Sequence, residues 1–338
     1  MRALDRIALT VARGSTFGLV GESGCGKSVT VRSMMRIIQS PGQIDGGRIV
    51  FFPTDEAQHQ GIDLLRQSEA FMQRLRGEQI SMIFQEPNAA LNPIMSIGDQ
   101  VAESFLFHRY REMSQRVLAQ LEANGYLGGW LLKPLYRLGS LNPDHWALKA
   151  LRRMPLLRRW ETRLKKEARQ RAVEMIGQLG IANPEEIVRR FPHNLSGGMK
   201  QRIVIAIALA CHPMLLIADE ATSNLDVTIQ AQILDLLRRL KASTIASILL
   251  ITHDLGVVAE TCDRVGVMYA GQLCEVADVE QLFNAPQHPY TRALLSAVPR
   301  LHQEGPLTSI QGNVPNLVTP PQGCRFHPRC PQVMDRCR

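Results

Sequence analysis

The chain has 338 residues, 45% of them hydrophobic and 21% charged, and its formal net charge is +8. This length can bury a large core, and the composition is ordinary for a globular protein. The most apolar stretch, residues 203–218, is interrupted by His212 and Pro213 and is too short for a membrane span. The seven cysteines form no disulfide pattern. No secretory signal is evident, so we expect a protein that is cytoplasmic or peripheral to a membrane.

The first informative segment is a glycine-rich loop at residues 21–28, which follows an apolar run predicted to be a strand. The loop consists of Gly21, Glu22, Ser23, Gly24, Cys25, Gly26, Lys27 and Ser28. Its three glycines allow backbone N–H groups to converge on phosphate oxygens, and the helix expected to begin near Lys27 points its positive end at the same anion. The pattern predicts that Lys27 neutralises the β- and γ-phosphates of a nucleotide and that Ser28 ligates Mg²⁺.

Cys25 lies within this loop, close to Lys27 and to the start of the predicted helix. A nearby cation and a helix N-terminus both favour the thiolate. We therefore expect a reactive thiol whose modification inhibits the protein and is slowed by bound nucleotide.

Four further polar residues follow strand-like apolar runs. Gln85 ends the run 80–84, Asp219 and Glu220 end the run 214–218, and His253 ends the run 247–252. In a doubly wound sheet such positions meet at the edge where ligands bind. Asp219 is predicted to hold Mg²⁺ through water, and Glu220 to act as general base toward the attacking water. The alternative is a strand end that carries two solvated acids.

His253 and Gln85 are assigned roles beside this acid pair. His253 is placed to contact the γ-phosphate and orient the water, although a lone histidine is more often a core or surface residue. The neutral amide of Gln85 is predicted to contact Mg²⁺ or the water and to report whether the γ-phosphate is present.

The segment 194–202, Asn-Leu-Ser-Gly-Gly-Met-Lys-Gln-Arg, resembles the signature motif of ATP-binding cassette (ABC) ATPases. Its central residues are Ser196, Gly197, Gly198 and Met199. The resemblance implies that they form a second anion site that closes over ATP held by another subunit. It also implies that the segment Ser223 to Asp226 is a dimer-contacting loop. The expected fold is α/β: a P-loop NTPase domain of the ABC type, with a helical subdomain and a small irregular C-terminal extension.

Within that family the chain most resembles the ATPase subunits of dipeptide, oligopeptide and nickel importers. This resemblance is carried by residues 84–93, 226–233, 288–295 and 323–331. It implies an ATPase that couples ATP binding and hydrolysis to the uptake of short peptides or a related small solute. The implied partners are two membrane permeases, a substrate-binding protein, and a second, related ATPase or another copy of this chain. The implied location is peripheral, on the cytoplasmic side of a bacterial or archaeal membrane.

The aromatic residue on which the family stacks adenine precedes the phosphate loop and has no counterpart in this sequence.

Three cysteines, Cys324, Cys330 and Cys337, lie within the last fifteen residues. Such close spacing in a cytosolic chain favours a metal over a disulfide. The resemblance to peptide importers implies a 4Fe–4S cluster here, with a fourth cysteine further downstream than this sequence extends. The alternative is a tail of reduced thiols.

A basic insertion at residues 107–170 carries fourteen Lys and Arg against five Asp and Glu, or +9, so the rest of the chain is close to neutral at −1. All three tryptophans, Trp130, Trp146 and Trp160, belong to it. The run 146–160 mixes aromatic, aliphatic and basic residues, which suits an anionic membrane interface. The alternative is a helical elaboration that packs on the transporter's own subunits. Pro155 favours two short helices over one.

The organisation predicted from these segments is an ABC ATPase domain at residues 1–286, with its helical subdomain at about 86–195, and a C-terminal extension at 287–338. The extension is rich in proline and is expected to have little regular structure. A second functional hypothesis is a soluble ABC ATPase acting on nucleic acid or ribosomes, with the basic insertion as the binding surface. The near-neutral remainder of the chain and the importer-like extension argue against nucleic acid as a partner.

Overall fold

The structure is a computed structural model that describes residues 2–53, 61–123, 129–143, 145–153, 160–221, 226–244, 247–297 and 310–338. These residues form two compact units. The first, which we call the sheet unit, combines Met1–Gln85 with Met214–Arg338, and the second, the helical unit, is Glu86–Pro213.

The sheet unit is built on short apolar strands. The strands are β1 (Thr16–Val20), β2 (Val50–Phe51), β3 (Ile62–Asp63), β4 (Ile80–Ile83), β5 (Leu215–Asp219), β6 (Ser247–Ile251), β7 (Arg264–Tyr269) and β8 (Gln272–Asp278). Six of them form one sheet in the order β4-β5-β6-β1-β7-β8, while β2 and β3 pair separately. The pairs from β4 to β7 are parallel and only β8 runs antiparallel at the edge. Because parallel strands are covered on both faces, β1, β4, β5 and β6 are buried at every residue.

Helices cover this sheet and divide its core into two clusters. The helices of the sheet unit are α1 (Lys27–Met34), α2 (Glu69–Glu78), α11 (Val227–Thr244), α12 (Leu255–Thr261), α13 (Val279–Asn284) and α14 (Pro289–Ser296). Phe17 and Leu19 of β1 pack in one cluster with α1 and α2, and their neighbour Val20 packs in the other with β7, α12 and α14. This division follows from the alternation of side chains along a strand.

The helical unit contains eight helices in its described residues. They are α3 (Pro87–Ala90), α4 (Ile97–His108), α5 (Tyr110–Ala123), α6 (Gly129–Leu141), α7 (Trp146–Arg153), α8 (Glu161–Gln178), α9 (Pro184–Ile187) and α10 (Gly197–Leu209). Helix α4 packs on α8, and α5 packs on α6 and α8. The apolar face of α5 is buried at Met113, Val117 and Leu121, which recur at helical spacing.

The aromatic residues of the basic insertion separate into different environments. Trp160 is 2% exposed, and its carbonyl accepts a 2.5 Å hydrogen bond from the hydroxyl of the buried Tyr136. Trp146, in contrast, is 75% exposed. The side chain of Trp130 lies outside the described residues. Trp160 is therefore a core residue of the helical unit, and of the two interpretations of the run 146–160 this residue fits a packed helical elaboration and not a membrane interface.

The C-terminal extension contains more structure than its composition predicts. It includes the helix α14 and two short 3₁₀ turns, His327–Arg329 and Asp335–Cys337. Tyr290 is fully buried and Phe326 is 1% exposed, and both belong to the second core cluster. The expectation of a tail with little regular structure is corrected on this point, because aromatic burial, which proline content does not reveal, orders these segments.

Candidate active site

The phosphate loop joins β1 to α1, as the sequence predicts. Gly21 has a φ of 149°, and a Cβ there would lie 2.2 Å from the carbonyl oxygen of Met268, so only glycine fits. The Lys27 ammonium is buried and donates to the carbonyl oxygens of Gly21 at 2.7 Å and Glu22 at 3.1 Å. These contacts hold the cation inside the loop formed by residues 21–28.

Cys25 does not have the environment of a reactive thiol. Its side chain is fully buried, and burial raises the pKa of the thiol although Lys27 Nζ lies 3.8 Å from the sulfur. Desolvation disfavours the thiolate more strongly than the nearby cation favours it. The prediction of a reactive, thiolate-forming Cys25 is therefore wrong.

Ser28 and Asp219 supply two oxygen atoms at the start of α1 and the end of β5. The Ser28 hydroxyl donates to Asp219 Oδ1 at 3.0 Å, and Asp219 is 2% exposed. Burial raises the pKa of this carboxyl, and the nearby charge of Glu220 raises it further. A hydroxyl and a buried carboxylate are the hard oxygen ligands that Mg²⁺ prefers, so this pair fits the predicted cation.

Glu220, Gln85 and His253 meet at the carboxyl ends of adjacent strands. Gln85 Nε2 donates to Glu220 Oε2 at 2.9 Å, and His253 Nδ1 lies 3.7 Å from Glu220 Oε1. Glu220 has a φ of 48°, in the left-handed region that non-glycine residues rarely occupy. Its backbone N–H donates to the carbonyl of Ile251 at 2.9 Å, which fixes this turn to β6. The sequence named all three side chains, and the parallel register brings them together.

The signature segment belongs to the helical unit. Ser196 is the N-cap of α10, and its hydroxyl accepts a hydrogen bond from the backbone N–H of Met199 at 3.3 Å. Ser196 and Gly197 are exposed at this helix start, and Gly198 and Met199 are partly exposed. The local geometry is that of an exposed helix N-terminus, where the partial positive charge of the helix is strongest.

The predicted dimer-contacting loop is described only at its last residue. Asp226 Oδ1 accepts a hydrogen bond from the backbone N–H of Ile229 at 2.9 Å, at the start of α11. The residues from Ser223 to Leu225 lie outside the described part of the chain.

The cysteines of the extension form no metal-binding group among the described residues. Cys324, Cys330 and Cys337 are free and partly buried. Among the residues that the structure describes, no three His, Cys, Asp or Glu side chains are grouped so that they could hold a metal ion. The arrangement therefore gives no support to the predicted iron–sulfur cluster.

Two residues that touch the phosphate loop were not singled out as functional from the sequence. Arg329 pairs with Glu22 at 2.8 Å, and the Tyr290 hydroxyl accepts a hydrogen bond from the Glu22 backbone N–H at 3.0 Å. Both belong to segments whose sequence signals only subfamily resemblance. The one signal in the sequence that could have indicated these contacts is the acidic residue at position 22. A carboxylate in a loop that binds anions is expected to have a cationic partner elsewhere in the chain.

The fold and the site together define a class of protein. A glycine-rich loop leads from a central parallel strand into a helix, and carboxylates and an amide stand at the ends of the neighbouring strands. This arrangement is that of a P-loop nucleoside triphosphatase.

The chain belongs to the ABC transporter family, whose model matches residues 4–223. A second model, that of the oligopeptide/dipeptide transporter C-terminal region, matches residues 274–337. The expected ABC-type ATPase fold is thus confirmed, and the chain is an ATPase of this family that uses ATP and Mg²⁺.

Characterised relatives match nearly the whole chain. The oligopeptide transport ATP-binding protein AppD of Bacillus subtilis is 42% identical over 99% of this chain and 84% of its own length. The dipeptide transport ATP-binding protein DppD of Escherichia coli is 39% identical over 100% of this chain and 85% of its own length. Among solved structures, a dimeric bacterial ABC transporter cassette has a TM-score of 0.57 at 21% identity, covering 82% of this chain and 90% of the cassette. The last similarity concerns the fold alone.

Proposed function

We propose that this chain is the ATP-hydrolysing subunit of an importer for short peptides. The observation that carries the proposal is the joining of two features in one sheet unit. One is the site in which Gln85 and His253 surround Glu220 beside the phosphate loop. The other is the region at 274–337 that matches the oligopeptide/dipeptide transporter model. The relatives named for oligopeptide and dipeptide transport support the same solute class.

The residues divide the work of hydrolysis. The N–H groups of the loop and the Lys27 ammonium bind the phosphates, and Ser28 and Asp219 would hold Mg²⁺, which when bound neutralises charge on the β- and γ-phosphates. Glu220 accepts the proton of the attacking water, because its carboxylate stands at the strand end beside the loop. Gln85 and His253 orient that water through their contacts with Glu220.

The signature segment supplies the second half of each nucleotide site. Ser196 and the exposed N-terminus of α10 bind the γ-phosphate of ATP held by another ATPase subunit, either a related chain or a second copy. Asp226 takes part in the same dimer contact. ATP then closes the two subunits on each other, and hydrolysis allows them to separate.

The helical unit faces the membrane permeases in this proposal. An open groove of about 350 Å³ runs along α4 and is lined by Met95, Glu103, Phe107, His108 and Ile207, among others. Phe107 is 66% exposed at this groove. A cytoplasmic segment of a permease with an apolar side chain would bury Phe107, and a substrate-binding protein would deliver the peptide on the other side. None of the helices in the described part of the chain is long and apolar enough to cross a bilayer. In this proposal, attachment to the permeases holds the subunit at the cytoplasmic face of the membrane.

The proposal is tested by affinity purification of the chain from detergent-solubilised native membranes, with its companions identified by mass spectrometry. Two polytopic permeases and a related ATPase are expected, and proteoliposomes containing this complex should accumulate labelled di- or oligopeptides with ATP. A matched preparation carrying Glu220→Gln should contain the same partners but accumulate no peptide. Recovery with ribosomes or nucleic acid and without permeases would overturn the transport function while leaving the ATPase chemistry intact.

A further inference from the structure

The C-terminal extension contacts the phosphate loop at Glu22. Glu22 is the second residue of the loop, and Arg329 and Tyr290 approach it from two separate segments of the extension. Each of the three groups that Glu22 offers, its backbone N–H, its carbonyl oxygen and its carboxylate, has a different partner. The loop is therefore tied at one residue to a part of the chain that carries no nucleotide-binding motif.

Every guanidinium donor of Arg329 has an acceptor at Glu22 or immediately around it. Its two terminal nitrogens reach the two carboxylate oxygens of Glu22 at 2.8 and 3.3 Å. The same nitrogens also donate to the Tyr269 hydroxyl at 3.2 Å and the Ile310 carbonyl at 3.1 Å, and Nε donates to the Gln311 carbonyl at 2.8 Å. All five guanidinium N–H groups thus have an acceptor, and the side chain is only 5% exposed. A partly buried, bidentate pair of this kind fixes position and orientation as well as charge.

Tyr290 holds the backbone of the same residue. Its hydroxyl accepts the Glu22 N–H at 3.0 Å, and its ring is fully buried. The ring packs against Tyr269 with centroids 4.6 Å apart and against Phe326 at 5.3 Å. Because these three aromatic rings are confined, the hydroxyl of Tyr290 is held at a defined place beside the loop.

The extension also supports the middle of the loop, at Cys25. Arg325, 5% exposed, donates to the Ala270 carbonyl and pairs with Asp5 at 3.3 Å. Gly271, which follows Ala270 in the chain, donates its N–H to the Cys25 carbonyl at 2.8 Å. The extension therefore supports the turn that contacts Cys25, in addition to Glu22.

The contact at Glu22 leads directly to the phosphate-binding lysine. The Glu22 carbonyl accepts a hydrogen bond from Lys27 Nζ at 3.1 Å, so a shift of Glu22 moves a partner of the ammonium. Loss of the pair with Arg329 would free the Glu22 side chain and loosen the carbonyl that holds Lys27. The consequence is a loop less well preorganised for phosphate.

We propose that Arg329 and Tyr290 are positioning residues of the ATP site, through which the C-terminal extension sets the geometry of the phosphate loop. The inference rests on the proposed role of residues 21–28 in binding ATP. It adds a role for the extension in the ATPase reaction itself, distinct from any contact of the extension with transporter partners.

The test compares ATP binding and hydrolysis by full-length variants. Arg329→Gln, Glu22→Gln and the double variant are measured beside Arg336→Gln, which changes an exposed arginine of the same extension. ATP affinity is measured by titration with a fluorescent ATP analogue, and KM and kcat are measured in the assembled complex. Thermal unfolding identifies variants that fail to fold. Tyr290→Phe, which keeps the buried ring and removes only the hydroxyl, serves as a second probe.

We expect Arg329→Gln to weaken ATP binding and raise KM about tenfold, within the range of coupling between linked sites, with a smaller change in kcat. Glu22→Gln should have a similar effect, and the double variant should be no worse than either single one because both remove the same pair. Arg336→Gln should match the wild type.

Two results separate this inference from the proposed function. If the wild type binds ATP and both folded variants, Glu22→Gln and Arg329→Gln, bind it within twofold of the wild type, the positioning role is wrong and the ATPase assignment stands. If the wild type itself binds no ATP, the assignment of residues 21–28 fails, and the inference fails with it. Additive effects in the double variant would also overturn it, since the two residues would then act independently.

Discussion

Replacing Glu220 with glutamine removes a proton acceptor from the site while leaving its shape in place. The glutamine side chain has the same length, and its amide oxygen can still accept the 2.9 Å hydrogen bond that Gln85 donates to Glu220. The backbone conformation at this position, with a φ of 48°, is equally open to both residues. We therefore expect Glu220→Gln to change the free energy of unfolding by no more than about 0.5 kcal/mol.

The effect on hydrolysis should be much larger. A positioned general base typically contributes about 10²- to 10⁴-fold to a rate, and each tenfold corresponds to about 1.4 kcal/mol. The activation free energy of Glu220→Gln should therefore rise by about 3–5 kcal/mol, seen as a fall in kcat. ATP affinity should stay close to that of the wild type, because Lys27 and Ser28 are untouched.

The assay is phosphate release from the assembled complex under saturating ATP, combined with ATP binding by the full chain. Glu280→Gln, which makes the same chemical change at an exposed helical position, is the control and should retain full activity. Turnover by Glu220→Gln within threefold of the wild type would refute the reasoning, because the carboxylate would then not be the proton acceptor. A loss of ATP binding comparable to the loss of turnover would equally contradict it.

Three further predictions concern burial and partner contacts. Burial raises the pKa of Asp219, so ionisation of this carboxyl costs the folded state stability as pH rises above the ordinary aspartate range. Asp219→Asn should therefore melt increasingly higher than the unliganded wild type as pH rises from about 4 to 7, and a constant margin would contradict this. The buried Cys25 should be alkylated by iodoacetamide more slowly than the partly buried Cys337, as followed by mass spectrometry, and faster labelling of Cys25 would be inconsistent with its raised pKa. Phe107→Asp should reduce the recovery of permeases at least fivefold, which is the scale of a hot-spot residue. Leu141→Asp, which changes another exposed apolar residue of the helical unit, should leave recovery unchanged, and equal recovery for both variants would argue against the groove along α4 as the permease contact.

The strand-end residues could be predicted from the sequence because their signals are local. An apolar run followed by Gln85, by Asp219 and Glu220, or by His253 indicates a buried strand that ends in a polar group, and a parallel sheet collects such ends at one edge. The glycine-rich loop likewise fixes a backbone geometry without reference to distant residues. These patterns were sufficient for a phosphate-binding α/β sheet and for naming the side chains that meet at the site, whereas the ABC type was indicated by the resemblance of the segment 194–202 to the family's signature motif.

The burial of individual side chains could not be predicted from the sequence. Cys25 lies beside Lys27 in sequence, which favours a thiolate, yet the packing of the sheet unit excludes water from the sulfur. Trp160 belongs to a basic, aromatic run, yet its ring lies in the core of the helical unit against Tyr136. In both cases composition described the neighbours along the chain, whereas solvent exposure depends on neighbours in space.

The sequence by itself indicated the chemistry proposed for this protein: a phosphate loop, two candidate cation ligands, a candidate general base and a signature segment, each recognised from a local pattern. Only the tertiary structure decided how the extension serves that chemistry. Glu22 and Arg329 are 307 positions apart, and no periodicity or spacing links residues at that distance. Their pairing depends on the packing of Tyr269, Tyr290 and Phe326, because a folded core fixes where a distant arginine can reach.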